Sequence, residues 1–295
     1  MRYYRIRDSR GDTHLTAETQ PGTLSSLTSL NSDVTDFREL LNVSDISGMS
    51  VDDIARNVLS SGDAETFDVE QLTESSRSAT GAARIITPLA PDEIWAGGIG
   101  NYAVPDEGVA GMPDITKTAY EADRPPVMYK GTASRLAGPF DPIGIRGDTE
   151  KTVAEGELVL IVYKGKLVAY STGNEVAGGL MGETLWWMVP SKVFKGCASL
   201  GPCIVTPETM PDPTGRDMEL TILRDGKVVG SSTNTTTFRR SPAQIVEWTQ
   251  AHDSPPDLVI IYTGGCVADG PLEAGDVVRI SLDGIGSVEN TVEVV

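Results

Sequence analysis

Apolar positions along this chain fall into short runs with the character of strands more often than of helices. The clearest is Leu158-Val159-Leu160-Ile161-Val162-Tyr163, continuous and rich in β-branched residues, which predicts a buried strand. Further short strands are predicted at Ile85-Ile86, Ile94-Trp95-Ala96, Val127-Met128-Tyr129-Lys130, Leu167–Ser171, Cys203–Thr206, Met218–Leu223 and Leu258–Tyr262. Lys164-Gly165 and Asp225-Gly226 are hairpin signals, because both residues of a tight two-residue turn need positive φ. Two helix starts stand out. Ser50 caps Val51-Asp52-Asp53-Ile54, and Ser241-Pro242-Ala243-Gln244 combines an N-cap serine, proline at the first helical position and glutamine three residues on. The second helix runs to about His252.

Residues 1–84 alternate short strands, helices and polar loops, and the weakly periodic stretch Leu72–Ala83 reads as a connection. From Arg84 onward strands dominate. The expectation is an α+β chain with a small α/β N-terminal domain, 1–84, and a mostly-β domain, 85–295. The Gly-, Pro- and acid-rich segment Asn101–Lys117 is expected to be a mobile loop or lid.

Composition narrows the function. At 295 residues with a net charge of −18, the chain has ample core, and its charge disfavours sequence-independent nucleic-acid binding. The acidity is scattered, as on proteins from salt-adapted organisms, where salt screens self-repulsion. No apolar run approaches the ~20 residues that span a bilayer, and Met1–Ile6 has no signal core, so no membrane role and a cytoplasmic location are expected. Three cysteines, Cys197, Cys203 and Cys266, give neither a disulfide framework nor a zinc spacing. Two histidines, His14 and His252, exclude a site needing several imidazoles and make zinc and Ser-His chemistry poor readings.

The candidate chemistry lies at Glu155-Gly156-Glu157, at the mouth of the strongest strand. Residues i and i+2 share a face, so the two carboxylates repel unless a cation sits between them. Gly156 lets the backbone or a ligand approach closely. Glu175 follows the returning strand of the same hairpin and can lie beside the pair. Each of the three also fits an ordinary solvated acidic surface. Together they specify an oxygen-ligated ion, Mg²⁺ first, with Mn²⁺ or Ca²⁺ as alternatives. Lys192, amid apolar residues after Trp186-Trp187, fits an acid/base, an anchor for a substrate carboxylate, or a lysine that snorkels to the surface.

At this point the chain resembles the fumarylacetoacetate hydrolase superfamily. The resemblance covers roughly residues 85–295 and rests on motif order. It runs through Asp92-Glu93-Ile94-Trp95-Ala96-Gly97-Gly98-Ile99, Glu155-Gly156-Glu157-Leu158, Gly173-Asn174-Glu175-Val176, Lys192 through Leu200-Gly201-Pro202, Thr263-Gly264, Leu272–Val278 and Gly284-Ile285-Gly286. Within it, the chain is most similar to the 2-keto-3-deoxy-D-arabinonate dehydratase-like members, through Tyr120-Glu121, Arg124-Pro125, Lys130, Arg135, Gly138-Pro139, Asp141, Gly182-Glu183 and Arg239-Arg240-Ser241.

The resemblance implies a β-roll domain with Glu155, Glu157 and Glu175 on a divalent metal, Lys192 as catalytic residue, and Lys130, Arg135 and Thr263 at the substrate. It also implies a homodimer or higher homo-oligomer. The implied reaction is dehydration of a 2-keto-3-deoxy sugar acid through an enolate to a dioxo acid. The alternatives are another reaction on an α-keto acid (C–C hydrolysis, decarboxylation, isomerisation) or a non-catalytic binder of metal and keto acid. The histidine that follows Asn-Tyr in the family's hydrolases is missing after Asn101-Tyr102, which argues against hydrolysis by that dyad. Three departures concern the site. Glu175 stands where Asp is usual, Ala177-Gly178-Gly179-Leu180 replaces Ser-x-Arg-Asp, and Gly265 replaces a threonine.

Overall fold

Thirteen strands among the described residues join one sheet in the computed structural model of the chain. The structure describes residues 1–78, 83–98, 103–112, 114–124, 126–179 and 188–295, without the side chains of residues 106, 107 and 115. The main path of the sheet runs Thr66–Asp68, Thr23–Ser26, Thr13–Gln20, Arg2–Arg7, Cys203–Val205, Lys166–Glu175, Glu155–Tyr163, Leu258–Val267, Glu93–Ala96, Met128–Gly131. A second sheet has the order Lys227–Thr235, Asp217–Arg224, Val277–Leu282, Gly286–Val294, Ile143–Ile145.

The run from Leu158 to Tyr163 explains how the layers assemble. Its period of two sends alternate side chains to opposite faces. Leu158, Leu160 and Val162 pack with Leu220, Ile222 and Ile280 of the second sheet. Val159, Ile161 and Tyr163 pack with Phe37, Leu40 and Leu41 of the helix Phe37–Ser47. Every residue of the run is buried, and each large aliphatic contributes about 1.5–3 kcal/mol when fully removed from water. The end of this strand that carries Glu155 and Glu157 is therefore anchored from both sides.

The turn and cap signals act as expected. Lys164 and Gly165 have φ of 46° and 76°, and Asp225 and Gly226 have 50° and 74°, which closes both hairpins. Ser50 caps Val51–Leu59, Ser241 and Gln244 form a capping box on Pro242–Ala251, and His252 is the C-cap of that helix.

Two segments differ from the sequence expectation. Leu72–Ala83 is not a plain connection, because Val69–Ser78 is a helix. Its one buried apolar side chain, Leu72, hides the helical period. Thr73, Ser76 and Ser78 donate their hydroxyls to carbonyls four residues back, on Val69, Leu72 and Glu74. Within Asn101–Lys117 lies one helix, Asp106–Ala110, and a second, Asp114–Glu121, begins there; Asn101-Tyr102 lies outside the described residues. Arg239 stacks over the Tyr120 ring at 4.3 Å and donates to the Tyr120 carbonyl, while Arg240 donates to the carbonyl of Ala122. These two arginines thus satisfy carbonyls at the end of the second helix.

The sheet is continuous across residue 84. Arg2–Arg7 pairs antiparallel with Thr13–Gln20, with Arg84–Ile86 and with Cys203–Val205. No helix among the described residues is long and apolar enough to cross a membrane.

Candidate metal centre

Glu155 and Glu157 open the strand Glu155–Tyr163, and Glu175 closes the antiparallel strand Lys166–Glu175. Glu157 lies opposite Gly173 in this pairing, which puts Glu175, two residues on, on the same face beside Glu155. One carboxylate oxygen from each of the three residues falls within 4.8 Å of the others.

Gly156 faces the other way. A Cβ there would lie 3.1 Å from both Cys266 Sγ and Ile280 Cγ2 and 3.4 Å from Met218 Sδ. The glycine therefore makes room for the second sheet behind the site, and the ligand approach expected from sequence is not its observed role.

Backbone geometry sets the orientation of each carboxylate. Glu157 Oε2 accepts the N–H of Gly264 at 2.7 Å. That N–H is turned inward by a bulge. The strand Leu258–Val267 carries one extra residue between the pairs Glu157–Gly265 and Val159–Tyr262, and Gly264 has a φ of 85°. The N–H of Glu155 donates to Asn174 Oδ1 at 3.1 Å, which ties the two ligand strands together.

Glu175 is held by two ammonium groups, ion-pairing through Oε1 with Lys130 and through Oε2 with Lys192. Lys192 Nζ also lies 3.2 Å from Glu155 Oε1. Burial disfavours the charged form of Glu175, but Lys130 and Lys192 outweigh it and hold this carboxyl below the usual glutamate range. Among the described residues, Glu157 has no ammonium in contact. Burial, then Glu175 and Glu155, push its pKa well up, and burial raises Glu155 as well. Lys192 shows the mirror image: burial works against its charge, yet Glu155 and Glu175 keep it protonated beyond the ordinary lysine range.

The donor set fits a hard divalent cation. Among the described residues, it offers carboxylate oxygens with no cysteine or histidine ligand in the cluster, and it already gathers positive charge in the form of the Lys192 ammonium. Glu155, Glu157 and Glu175 are the residues able to hold such an ion.

The other sequence candidates fall as follows. Lys130 is fully buried, donates to Val176 O at 2.8 Å and Lys192 O at 2.9 Å, and ion-pairs with the Glu175 carboxylate. These contacts make Lys130 a support for Glu175. Thr263 is buried and donates its hydroxyl to Leu158 O at 3.0 Å. Arg135 ends the short helix Ala133–Arg135, and among the described residues its guanidinium contacts Thr132 Oγ1 at 3.4 Å and no carboxylate of the cluster. Gly138 and Asp141 are tied to the second sheet by Asn290, whose amide donates to both carbonyls, at 2.9 and 2.8 Å.

Ala177-Gly178 forms a buried strand on Thr152–Val153, and Gly179 donates to Lys151 O. Leu180, Gly182-Glu183 and Trp186-Trp187 lie outside the described residues. Gly264 was not singled out as a holder of Glu157. The Gly264-Gly265 pair inside a strand pattern is the available sign of a bulge.

Comparison with known proteins agrees with this geometry. The family described as fumarylacetoacetate (FAA) hydrolase C-terminal matches residues 101–293. The chain is 37% identical to a Haloferax volcanii protein named "Probable 2-keto-3-deoxyxylonate dehydratase", over 100% of both chains. It is 32% identical to 2-dehydro-3-deoxy-D-arabinonate dehydratase of Saccharolobus solfataricus, over 70% of this chain and 73% of that one. A solved structure of 2-keto-3-deoxy-D-arabinonate dehydratase, complexed with magnesium and 2,5-dioxopentanoate, superposes with a TM-score of 0.82 at 26% identity, covering 100% of this chain and 99% of that one. With the motifs, the strand order and the carboxylate cluster all in place, the chain belongs to the fumarylacetoacetate hydrolase family.

Proposed function

We propose that this protein is a divalent-metal-dependent lyase that dehydrates a 2-keto-3-deoxy sugar acid to a dioxo acid. The observation that carries the reading is the convergence of Glu155, Glu157 and Glu175 on one face, with Lys192 between two of them. The likeness over the full chain to a dehydratase complexed with magnesium and a dioxo acid supports it. Magnesium is the ion we assign. When bound, it polarises a 2-keto group and stabilises negative charge as an enolate forms.

The chain's own residues supply position and proton transfer. Gly264 N–H fixes Glu157, and Lys130 fixes Glu175. Lys192 is the proton carrier. Its partners are Glu155 and Glu175, the carboxylates that would hold the cation, so it stands beside a substrate bound there. In its neutral form Lys192 would take the C3 proton of the substrate, and the resulting ammonium would return a proton to the C4 hydroxyl, which leaves as water. Tautomerisation yields the dioxo acid. Arg135 is our candidate for the substrate's polar end, and Thr263 for the wall beside Glu157.

A 2-keto-3-deoxypentonate incubated with the protein and Mg²⁺ is expected to yield a dioxo acid at a rate that EDTA abolishes and Mg²⁺ restores. Metal-saturated protein that binds oxalate or pyruvate without turnover would replace this reading with that of a non-catalytic binder.

We further propose that the protein works in the cytoplasm as a homodimer or higher homo-oligomer, with residues 1–84 as an accessory domain to the catalytic 85–295. We propose too that it is adapted to salt, because 42 acidic residues face 24 basic ones. Its melting temperature is expected to fall steadily as KCl is withdrawn, where an ordinary surface would leave it nearly level.

A further inference from the structure

In so acidic a chain, arginines without acidic partners are unexpected. Arg10 meets Asp8, Arg38 meets Asp92, Arg224 meets Asp276 and Arg279 meets Glu289. On the strand Arg2–Arg7, Arg2 meets Glu18 and Arg5 meets Asp36, but Arg7 has no acidic partner among the described residues. Arg5 and Arg7 lie on one face of the strand, and Arg7 stands directly opposite Arg84 in the antiparallel pairing. Directly opposed side chains share a face, and like charges so placed repel. Three guanidinium groups therefore rise together from one patch of sheet.

They line a cavity of about 460 Å³ together with Ser76, Phe140 and Asp141. Nothing in that lining neutralises them all. Arg5 is anchored by Thr35 O at 3.1 Å and by Asp36 at 3.3 Å. Neither Arg7 nor Arg84 forms an ion pair or side-chain hydrogen bond among the described residues. Asp141 accepts the N–H of Gly138 at 3.1 Å and pairs with none of the three arginines. The Ser76 hydroxyl is already engaged, donating to Leu72 O and accepting from Ile85 N–H. Glu155, Glu157, Glu175 and Lys192 do not line this cavity.

We propose that Arg5, Arg7 and Arg84 form a binding site for a phosphate dianion, free or carried on a phosphomonoester. Guanidinium forks suit tetrahedral oxyanions through paired N–H donors, and two negative charges offset the Arg7–Arg84 repulsion as one does not. The volume exceeds what a phosphate fills, and the half-buried Phe140 offers an apolar wall for an organic remainder.

The test is thermal unfolding of the full chain without divalent metal, at constant ionic strength in KCl, with inorganic phosphate and separately with glycerol phosphate. The wild type is expected to show a saturable rise in melting temperature. Arg7→Ala and Arg84→Ala are each expected to weaken that affinity tenfold or more. Without phosphate, both are expected to melt at or above the wild-type temperature, since each relieves the like-charge pair. Arg10→Ala, which removes an arginine already paired with Asp8, is expected to leave the phosphate response intact.

Tighter binding of glycerol phosphate than of phosphate supports an ester as the natural ligand, and equal binding supports free phosphate. A linear rise equal in wild type and variants is general salting-out and overturns the site. Citrate binding as tightly as phosphate overturns the choice of ligand.

Discussion

A Lys130→Met variant is expected to lose about 3–5 kcal/mol of folding stability, the cost of breaking a buried ion pair from one side. Methionine is apolar and of similar length, so the change tests charge and hydrogen bonding more than volume. Lys130 is fully buried, and its removal leaves Val176 O and Lys192 O without their donor. It also leaves Glu175 beside Glu155 and Glu157 with one ammonium in place of two. Urea unfolding in EDTA measures the loss. Saturating Mg²⁺ is expected to raise the melting temperature of the variant by more than it raises the wild type, because the ion restores positive charge beside Glu175. The double variant Lys130→Met/Glu175→Gln is expected to recover part of the loss, as paired sites do when both charges go. A single-variant loss below about 1 kcal/mol, the range of exposed pairs, would sink the buried-clamp account.

The second large effect concerns Gly265, where the family resemblance implies a threonine. Restoring the threonine is expected to damage the protein. A Cβ at this position would stand 1.8 Å from Gly156 O and 2.9 Å from the Gly156 carbonyl carbon, both backbone atoms that cannot rotate away. The clash falls between the strand bearing Glu155 and Glu157 and the strand whose Gly264 N–H holds Glu157. Gly265→Thr is therefore expected to cost at least the upper end of the ~1–3 kcal/mol typical of overpacked cores. Gly265→Ala should approach it, since the first carbon already collides. Mg²⁺ titration by calorimetry is expected to show weakened binding in any variant that folds. A Gly265→Thr protein with wild-type stability and metal affinity would mean that the two strands part easily, contrary to the packing around them.

The metal cluster was legible in the sequence because it depends on short-range geometry. Glu155 and Glu157 share a face by strand period, and one hairpin turn, Lys164-Gly165, returns the chain to Glu175. What supports the cluster was not legible. Lys130 reaches the carbonyls of Val176 and Lys192 across sequence gaps of 46 and 62 residues, and no local pattern encodes that approach. Motif position places Lys130 and Thr263 near the substrate, but it does not show that their side chains engage a carboxylate and main-chain carbonyls. The direction of Gly156 escaped for the same reason, since the Met218 and Ile280 strands that crowd it belong to the other sheet. The helix Val69–Ser78 was hidden by its own chemistry, with serine and threonine where an amphipathic helix would carry apolar side chains.

The strand Arg2–Arg7 has a consequence for how the protein is made. It sits in the interior of the large sheet, with Arg2 paired to Val205 and Tyr4 to Cys203. During synthesis at ~5–20 residues per second, that partner emerges roughly ten to forty seconds after the strand itself. Over this interval the Arg2–Tyr4 half of the strand's edge stays bare, with the apolar Tyr3 and Tyr4, while Arg5–Arg7 is covered sooner by Arg84–Ile86, and bare edges invite pairing with other chains. Its arginines, Arg2, Arg5 and Arg7, give that waiting strand a charge that discourages association between identical nascent chains. The same residues that crowd positive charge into the finished sheet thus guard the ribosome-bound one.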